Sequence, residues 1–120
     1  MPTFSILLPT RNRLQLLKYA VETVRRQDFT DWEIVVSDND SEEDVGAYVS
    51  GLRDDRIRYF RTASFVRVTE NWNKALMHST GRWVLMLGDD DGLMPGALNR
   101  FAELTERSRL TAPRYSACTT

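Results

Sequence analysis

The sequence is short of cysteine, of histidine and of any charge imbalance. Its one cysteine, Cys118, closes no internal disulfide, and no Cys/His cluster has the spacing of a zinc site. A reducing compartment, the cytoplasm, is therefore the expected location. Lys plus Arg number 16 against 17 Asp plus Glu, a net charge of −1 with the lone histidine neutral. Chains that coat nucleic acid or an anionic bilayer carry a basic excess, because phosphate neutralisation dominates such affinities, so neither partner is expected. No stretch approaches the roughly 20 apolar residues of a membrane span. The run Phe4 to Leu8 is too short for a secretory leader and lacks a preceding basic region. The motifs G-x-x-x-x-G-K, G-x-G-x-x-G and G-x-S-x-G are all missing, which removes the common nucleoside-triphosphate, dinucleotide and hydrolase readings. There is no internal repeat and no low-complexity tract.

What is present is ordinary globular material, 42% hydrophobic and 28% charged over 120 residues. A chain of this length buries roughly two-thirds of its unfolded surface, enough for one core. Four short apolar runs recur: Phe4 to Leu8, Ile34 to Val36, Ile57 to Phe60 and Trp83 to Leu87. Between and after them, residues fall on single helical faces: Leu14, Leu17, Val21 and Val24; Val45, Val49 and Leu52; Trp72, Ala75 and Leu76; Leu98, Phe101 and Leu104. Strand and helix alternate, and the strands read as continuous apolar runs. That pattern predicts an α/β, Rossmann-like half-domain, a mostly parallel sheet of about four strands with helices on both faces.

The punctuation agrees. Pro9 is expected to end the first strand, and Asn12 with Gln15 to cap the first helix as a box. Ser41 with Asp44, or Asp40 with Glu43, would open the second helix, and Pro95 suits the first turn of the fourth. Beyond Arg107 periodicity stops. The expected organisation is one domain over residues 1–107 and a loosely ordered tail over 108–120.

In an open parallel sheet, ligands bind beyond the carboxyl ends of the strands. Three separated polar segments stand there: Pro9-Thr10-Arg11-Asn12, Ser37 to Ser41, and Gly88-Asp89-Asp90-Asp91-Gly92. Three adjacent carboxylates repel one another unless a cation compensates, and Mg²⁺ or Mn²⁺, which take one or two carboxylates and complete their shell with water and phosphate oxygens, would do so. A solvated acidic turn before a helix, where the dipole favours acids, is the plain alternative. The flanking glycines tilt the balance toward a site. Asp38 could accept the ring N–H of a base or both hydroxyls of a ribose; helix capping, its other reading, is already served by Asp40 and Ser41. Thr10, Arg11 and Asn12 could close around the same nucleotide, Arg11 by stacking or meeting a phosphate; turn and cap chemistry is the plain alternative for all three and the one favoured for Asn12. His78 is expected to be a surface or packing residue, Trp32, Trp72 and Trp83 to pack, and Arg25, Arg26, Arg53 and Arg56 to form solvated faces.

Together, FSILLPTRNR, EIVVSDNDSEED and ENWNKALMHSTGRWVLMLGDDDGLMPGAL resemble the N-terminal half of a family-2 glycosyltransferase of the GT-A nucleotide-sugar-binding fold, from about Phe4 to Leu104. The resemblance implies that Pro9, Thr10, Arg11 and Asn12 border the nucleotide, that Asp38 binds uracil or an equivalent base, and that Asn73 is the family's asparagine before the fourth strand. It places the metal motif on Asp89, Asp90 and Asp91, with Asp90 at the principal ligand's position and Asp89 also touching substrate. Gly88 stands where the family usually has an aspartate. The implied reaction is metal-dependent, inverting transfer of a sugar from a nucleoside diphosphate, UDP foremost, to a hydroxyl of a glycan or lipid-linked acceptor. The family's general base lies downstream of the metal motif and is expected beyond Thr120.

Two other readings compete. One is a non-catalytic nucleotide- or metal-binding module. The other, a receiver-like phosphoryl-transfer domain, expects a lysine near the acidic edge, whereas Lys18 and Lys74 both fall in helices. An uncovered sheet edge would also favour self-association.

Overall fold

A computed structural model describes residues 1–111 and 117–119, with side-chain surroundings described through residue 107. Among the described residues nine elements alternate: β1 (Phe4–Thr10), α1 (Leu14–Arg25), β2 (Trp32–Asp38), α2 (Val45–Leu52), β3 (Ile57–Arg61), α3 (Val68–His78), β4 (Trp83–Met86), α4 (Ala97–Thr111) and β5 (Ala117–Thr119). The strands form one parallel sheet in the order β3-β2-β1-β4-β5. The four expected strands and the α/β class are all present. The expected tail contains the end of α4 and the short strand β5, while residues 112–116 and 120 lie outside the described residues.

Continuous apolar strands are explained by burial on two faces. Ile6, Leu8, Ile34 and Val36 pack with Leu17 and Val21 of α1, Val45 and Val49 of α2 and Leu98 of α4. Leu7 and Val35 point the other way and meet Ala75 of α3. One face thus carries three helices and the other carries one. Among the described residues no helix is long and apolar enough to cross a membrane.

Several local expectations are corrected. Pro9 lies inside β1, paired with Ser37. It is tolerated because pairing with β4 ends at Leu7↔Met86, so the missing N–H faces a side where the ladder has stopped. Asn12 does not cap α1. It sits at φ 52° and its side-chain oxygen accepts the Glu42 N–H, while Glu43 reaches across to accept the N–H of Leu14. α2 is capped by Asp44, which accepts from Ala47 N–H. α3 turns Asn71 and Ala75 inward and leaves Trp72 and Leu76 half exposed. Pro95 precedes α4: Met94-Pro95-Gly96-Ala97 is a turn closed by Ala97 N–H on Met94 C=O, with Gly96 at φ 81° as a type II geometry requires.

His78 packs as expected, its ring stacked on Phe60 at 3.6 Å. Trp32 is buried beneath the Arg56 guanidinium at 3.8 Å, and Trp83 is partly buried.

Candidate functional site

The sheet order places β1 at the point where chain connections reverse direction, between β2 on one side and β4 on the other. Crevices form at such points beyond the carboxyl ends. β1 and β2 run in register to Thr10↔Asp38, whereas β4 is paired only to Met86, so the chain from Leu87 onward peels away beside Pro9 and Thr10. A groove of about 560 Å³ opens there. It is lined by Pro9 and Thr10 at the end of β1, by Arg11 and Arg13 just after it, by Met86 to Asp91, and by Asn39, Phe65, Val68, Asn71 and Trp72.

The acidic loop is fastened to α1. Thr23 Oγ1 accepts the Leu93 N–H at 3.0 Å, and Gln27 donates to Met94 C=O at 2.9 Å while accepting from Leu98 N–H at 3.2 Å. Asp89 is 8% exposed and accepts the Thr10 hydroxyl at 2.9 Å; its other oxygen faces the Arg13 guanidinium at 3.5 Å. Arg13 also lies 3.6 Å from Asp90. Burial pushes the Asp89 carboxyl above its ordinary value, against the opposing pull of Thr10 and Arg13. Gly88 has a specific use: a Cβ there would stand 2.8 Å from Asp91 Oδ2 and 3.0 Å from Asp90 Oδ1. Glycine lets both carboxylates fold back over the strand end.

Among the described residues no three acidic, His or Cys groups converge closely enough to enclose an ion. The donor chemistry fits an open site instead. Asp89, Asp90 and Asp91 are hard oxygen donors on one rim of the groove, two of them within 4 Å of a single, half-exposed guanidinium, and Mg²⁺ or Mn²⁺ commonly completes its shell with phosphate oxygens.

The remaining sequence-derived positions divide. Pro9, Thr10 and Arg11 line the groove, and Arg11 donates to the carbonyls of Asn39 and Asp40 at 2.7 and 3.0 Å while lying 4.6 Å over the Phe65 ring. Asn12 is turned away into the lock between the β1–α1 and β2–α2 loops. Asp38 has the structural work that capping arguments denied it. Its side chain is 0% exposed, accepting from Ser41 N–H at 3.1 Å, the Tyr59 hydroxyl at 2.6 Å and Arg61 at 3.3 Å. The same contact, with burial foremost, pushes the Tyr59 phenol up to about 12. Asn39, the residue just after β2, lines the groove, its amide paired twice with the backbone of Val66. Asn73 is exposed and stands outside the groove; Asn71 is the asparagine brought into it, exchanging hydrogen bonds with Ser37.

Sequence reasoning placed Asn39 at this edge only as part of the Ser37 to Ser41 segment, and missed Arg13, Phe65, Val68, Asn71 and Trp72 as lining residues. For Asn71 a signal existed, since it precedes the inward Ala75 by four residues and so shares its face.

The family model for glycosyl transferase family 2 matches residues 5–116. A GalNAc(5)-diNAcBac-PP-undecaprenol beta-1,3-glucosyltransferase from Campylobacter jejuni is 41% identical over 102 residues, which cover 82% of this chain and 33% of that enzyme. The chain thus spans about a third of the length of that curated relative. The fold is similar to that of Staphylococcus aureus TarS 1-349 solved in complex with UDP-GlcNAc, with a TM-score of 0.83 and 22% identity over 89% of this chain and 32% of that one. It is also similar to the mannosyltransferase PcManGT of Pyrobaculum calidifontis in complex with GDP-Man and Mn²⁺, with a TM-score of 0.67 and 23% identity over 74% of this chain and 28% of that one. The parallel sheet, the switch-point groove and the match across nearly the whole sequence lead to one assignment: the chain belongs to glycosyl transferase family 2.

Proposed function

We propose that the groove holds a nucleoside-diphosphate sugar, UDP-linked by preference, and that the chain provides the donor-binding part of a metal-dependent, inverting glycosyltransferase. The observation that carries this reading is the Thr10–Asp89–Arg13–Asp90 arrangement at the switch point, where a buried carboxylate with few donors meets two exposed ones. Thr10 and Arg13 orient Asp89, and Asp89, Asp90 and Asp91 would hold the cation. When bound, that cation supplies Lewis-acid stabilisation of the departing diphosphate. Arg11 is placed to meet the nucleotide from the groove lining, whereas Asp38 would reach the base only if both Tyr59 and Arg61 gave up its carboxylate. In the transfer, the acceptor oxygen forms its bond to the anomeric carbon as the bond to the diphosphate oxygen breaks on the opposite face, and the acceptor's proton passes to a general base. The relative acting on an undecaprenol-linked glycan makes a lipid-linked acceptor the first to test. The reading keeps the reaction in the cytoplasm, consistent with a single cysteine.

Titration calorimetry of the chain with UDP, GDP and dTDP in the presence and absence of Mn²⁺ tests the site. Metal-dependent binding of one nucleotide, weakened at least about tenfold (1.4 kcal/mol) by Asp90→Asn, is expected. Binding of none of the three, or binding indifferent to both metal and Asp90, would overturn the reading.

A further inference from the structure

The groove is amphipathic, and of its apolar lining only Phe65 enters the contacts described so far. Phe65, Val68 and Trp72 line the same groove as Asp89, Asp90 and Asp91. The two rings differ. Phe65 already carries a partner, the Arg11 guanidinium at 4.6 Å. Trp72 does not: among the described residues the cations over aromatic faces lie at Phe65, Tyr48, Trp32 and Phe60.

Trp72 is 45% exposed in a chain that buries Trp32 almost completely. Its exposure follows from the phase of α3. Asn71 and Ala75 take the inward positions, Asn71 tied to Ser37 by hydrogen bonds at 2.7 and 3.0 Å, so rotating the helix to bury Trp72 would break that pair. The indole is therefore held at the groove by a buried polar lock one residue away.

We propose that Trp72 is the stacking platform for the hexopyranosyl ring of the sugar nucleotide, a refinement that rests on the donor-site reading above. A pyranose presents C–H bonds on its faces and hydroxyls around its rim. An aromatic face takes the first while carboxylates accept from the second, and the lining of this groove includes both. The ribose-diphosphate segment has no comparable apolar face, so Trp72 discriminates the sugar-bearing donor from the bare nucleotide.

The test compares Kd for UDP with Kd for UDP-glucose and UDP-GlcNAc, by calorimetry with Mn²⁺ on the wild-type chain, Trp72→Ala and Trp72→Phe. The quantity read is the ratio of sugar-nucleotide Kd to UDP Kd. Trp72→Ala is expected to raise it about tenfold for at least one sugar while leaving UDP within about twofold, and Trp72→Phe, which keeps a ring, to raise it less than about threefold. An unchanged ratio in Trp72→Ala overturns the proposal, and so does an equal loss for UDP and sugar nucleotide, which would mark a role in base binding or in folding. Absence of any UDP or sugar-nucleotide binding by the wild-type chain overturns the donor-site reading and this refinement together. UDP binding with a normal ratio response in neither variant removes the refinement alone.

Discussion

Two carboxylates at opposite ends of the sheet are buried to nearly the same degree, Glu33 at 6% exposure and Asp89 at 8%, and their acidities move in opposite directions. Burial alone would raise both. At the amino end, Glu33 overcomes it with donors on each oxygen: the Ser5 hydroxyl, the Thr80 N–H at 2.7 Å and hydroxyl at 3.0 Å, and Arg58 at 3.0 Å. Its carboxyl is held below the ordinary value. At the carboxyl end, Asp89 has one good donor in Thr10 and a long approach from Arg13, and burial wins. A carboxylate fully solvated by protein is a structural part, whereas one left short of donors is a candidate for a ligand. The same contrast separates the closed end of the sheet from the groove.

The comparison can be broken most directly at Glu33. Glu33→Ala strands the donors of Ser5, Thr80 and Arg58 and is expected to lower stability by about 3 kcal/mol in urea denaturation. A loss below about 1 kcal/mol would remove its structural standing. Gly81→Ala attacks the same network from its neighbour. Gly81 N–H donates to Ser5 Oγ at 2.7 Å, and a Cβ would stand 2.6 Å from that oxygen and 2.7 Å from the Ser5 backbone nitrogen. Because backbone cannot step aside as a flexible side chain can, about 2 kcal/mol of destabilisation is expected by the same measurement.

The pH dependence sharpens the contrast. Since Glu33 binds its proton less tightly folded than unfolded, its stabilising contribution is present above about pH 4.5 and is lost as pH falls through the lower folded value. The stability gap between wild type and Glu33→Gln should be full at pH 7 and close in acid. Asp89 has the opposite sign. Its contribution is favourable below about pH 3.8 and is lost as pH rises through the raised folded value. Asp89→Asn, measured with chelator present, is therefore expected to raise stability at pH 7 by less than about 1 kcal/mol. A clear destabilisation there would place Asp89 with Glu33 as a structural acid.

Much of this was legible beforehand because it depends on local periodicity. The buried faces of α1 and α2 follow from Leu17, Val21, Val24, Val45 and Val49, each at the helical spacing that the core requires. The rim of the groove was legible too, because topology alone brings the ends of parallel strands together and Asp89, Asp90 and Asp91 follow one of them. α3 was misread for an equally physical reason. Trp72 and Leu76 are its large apolar residues, yet the inward place opposite Ser37 satisfies an amide better than a ring, and that partner is 34 positions away in sequence. The Asn12 cap failed similarly, since Glu43 arrives from another loop to accept the α1 N–H.

The order of strands and helices, the parallel sheet and the acidic character of its carboxyl edge were settled by patterns within ten or so residues, where side-chain period and turn chemistry act. Which carboxylate is sealed and which is open, that Asp38 lies beneath Tyr59 and Arg61, and that Asn71 instead of Asn73 enters the groove were settled by three-dimensional packing. Hydrogen-bond supply to a buried group depends on donors that converge from distant segments, and no local pattern records which of them arrive.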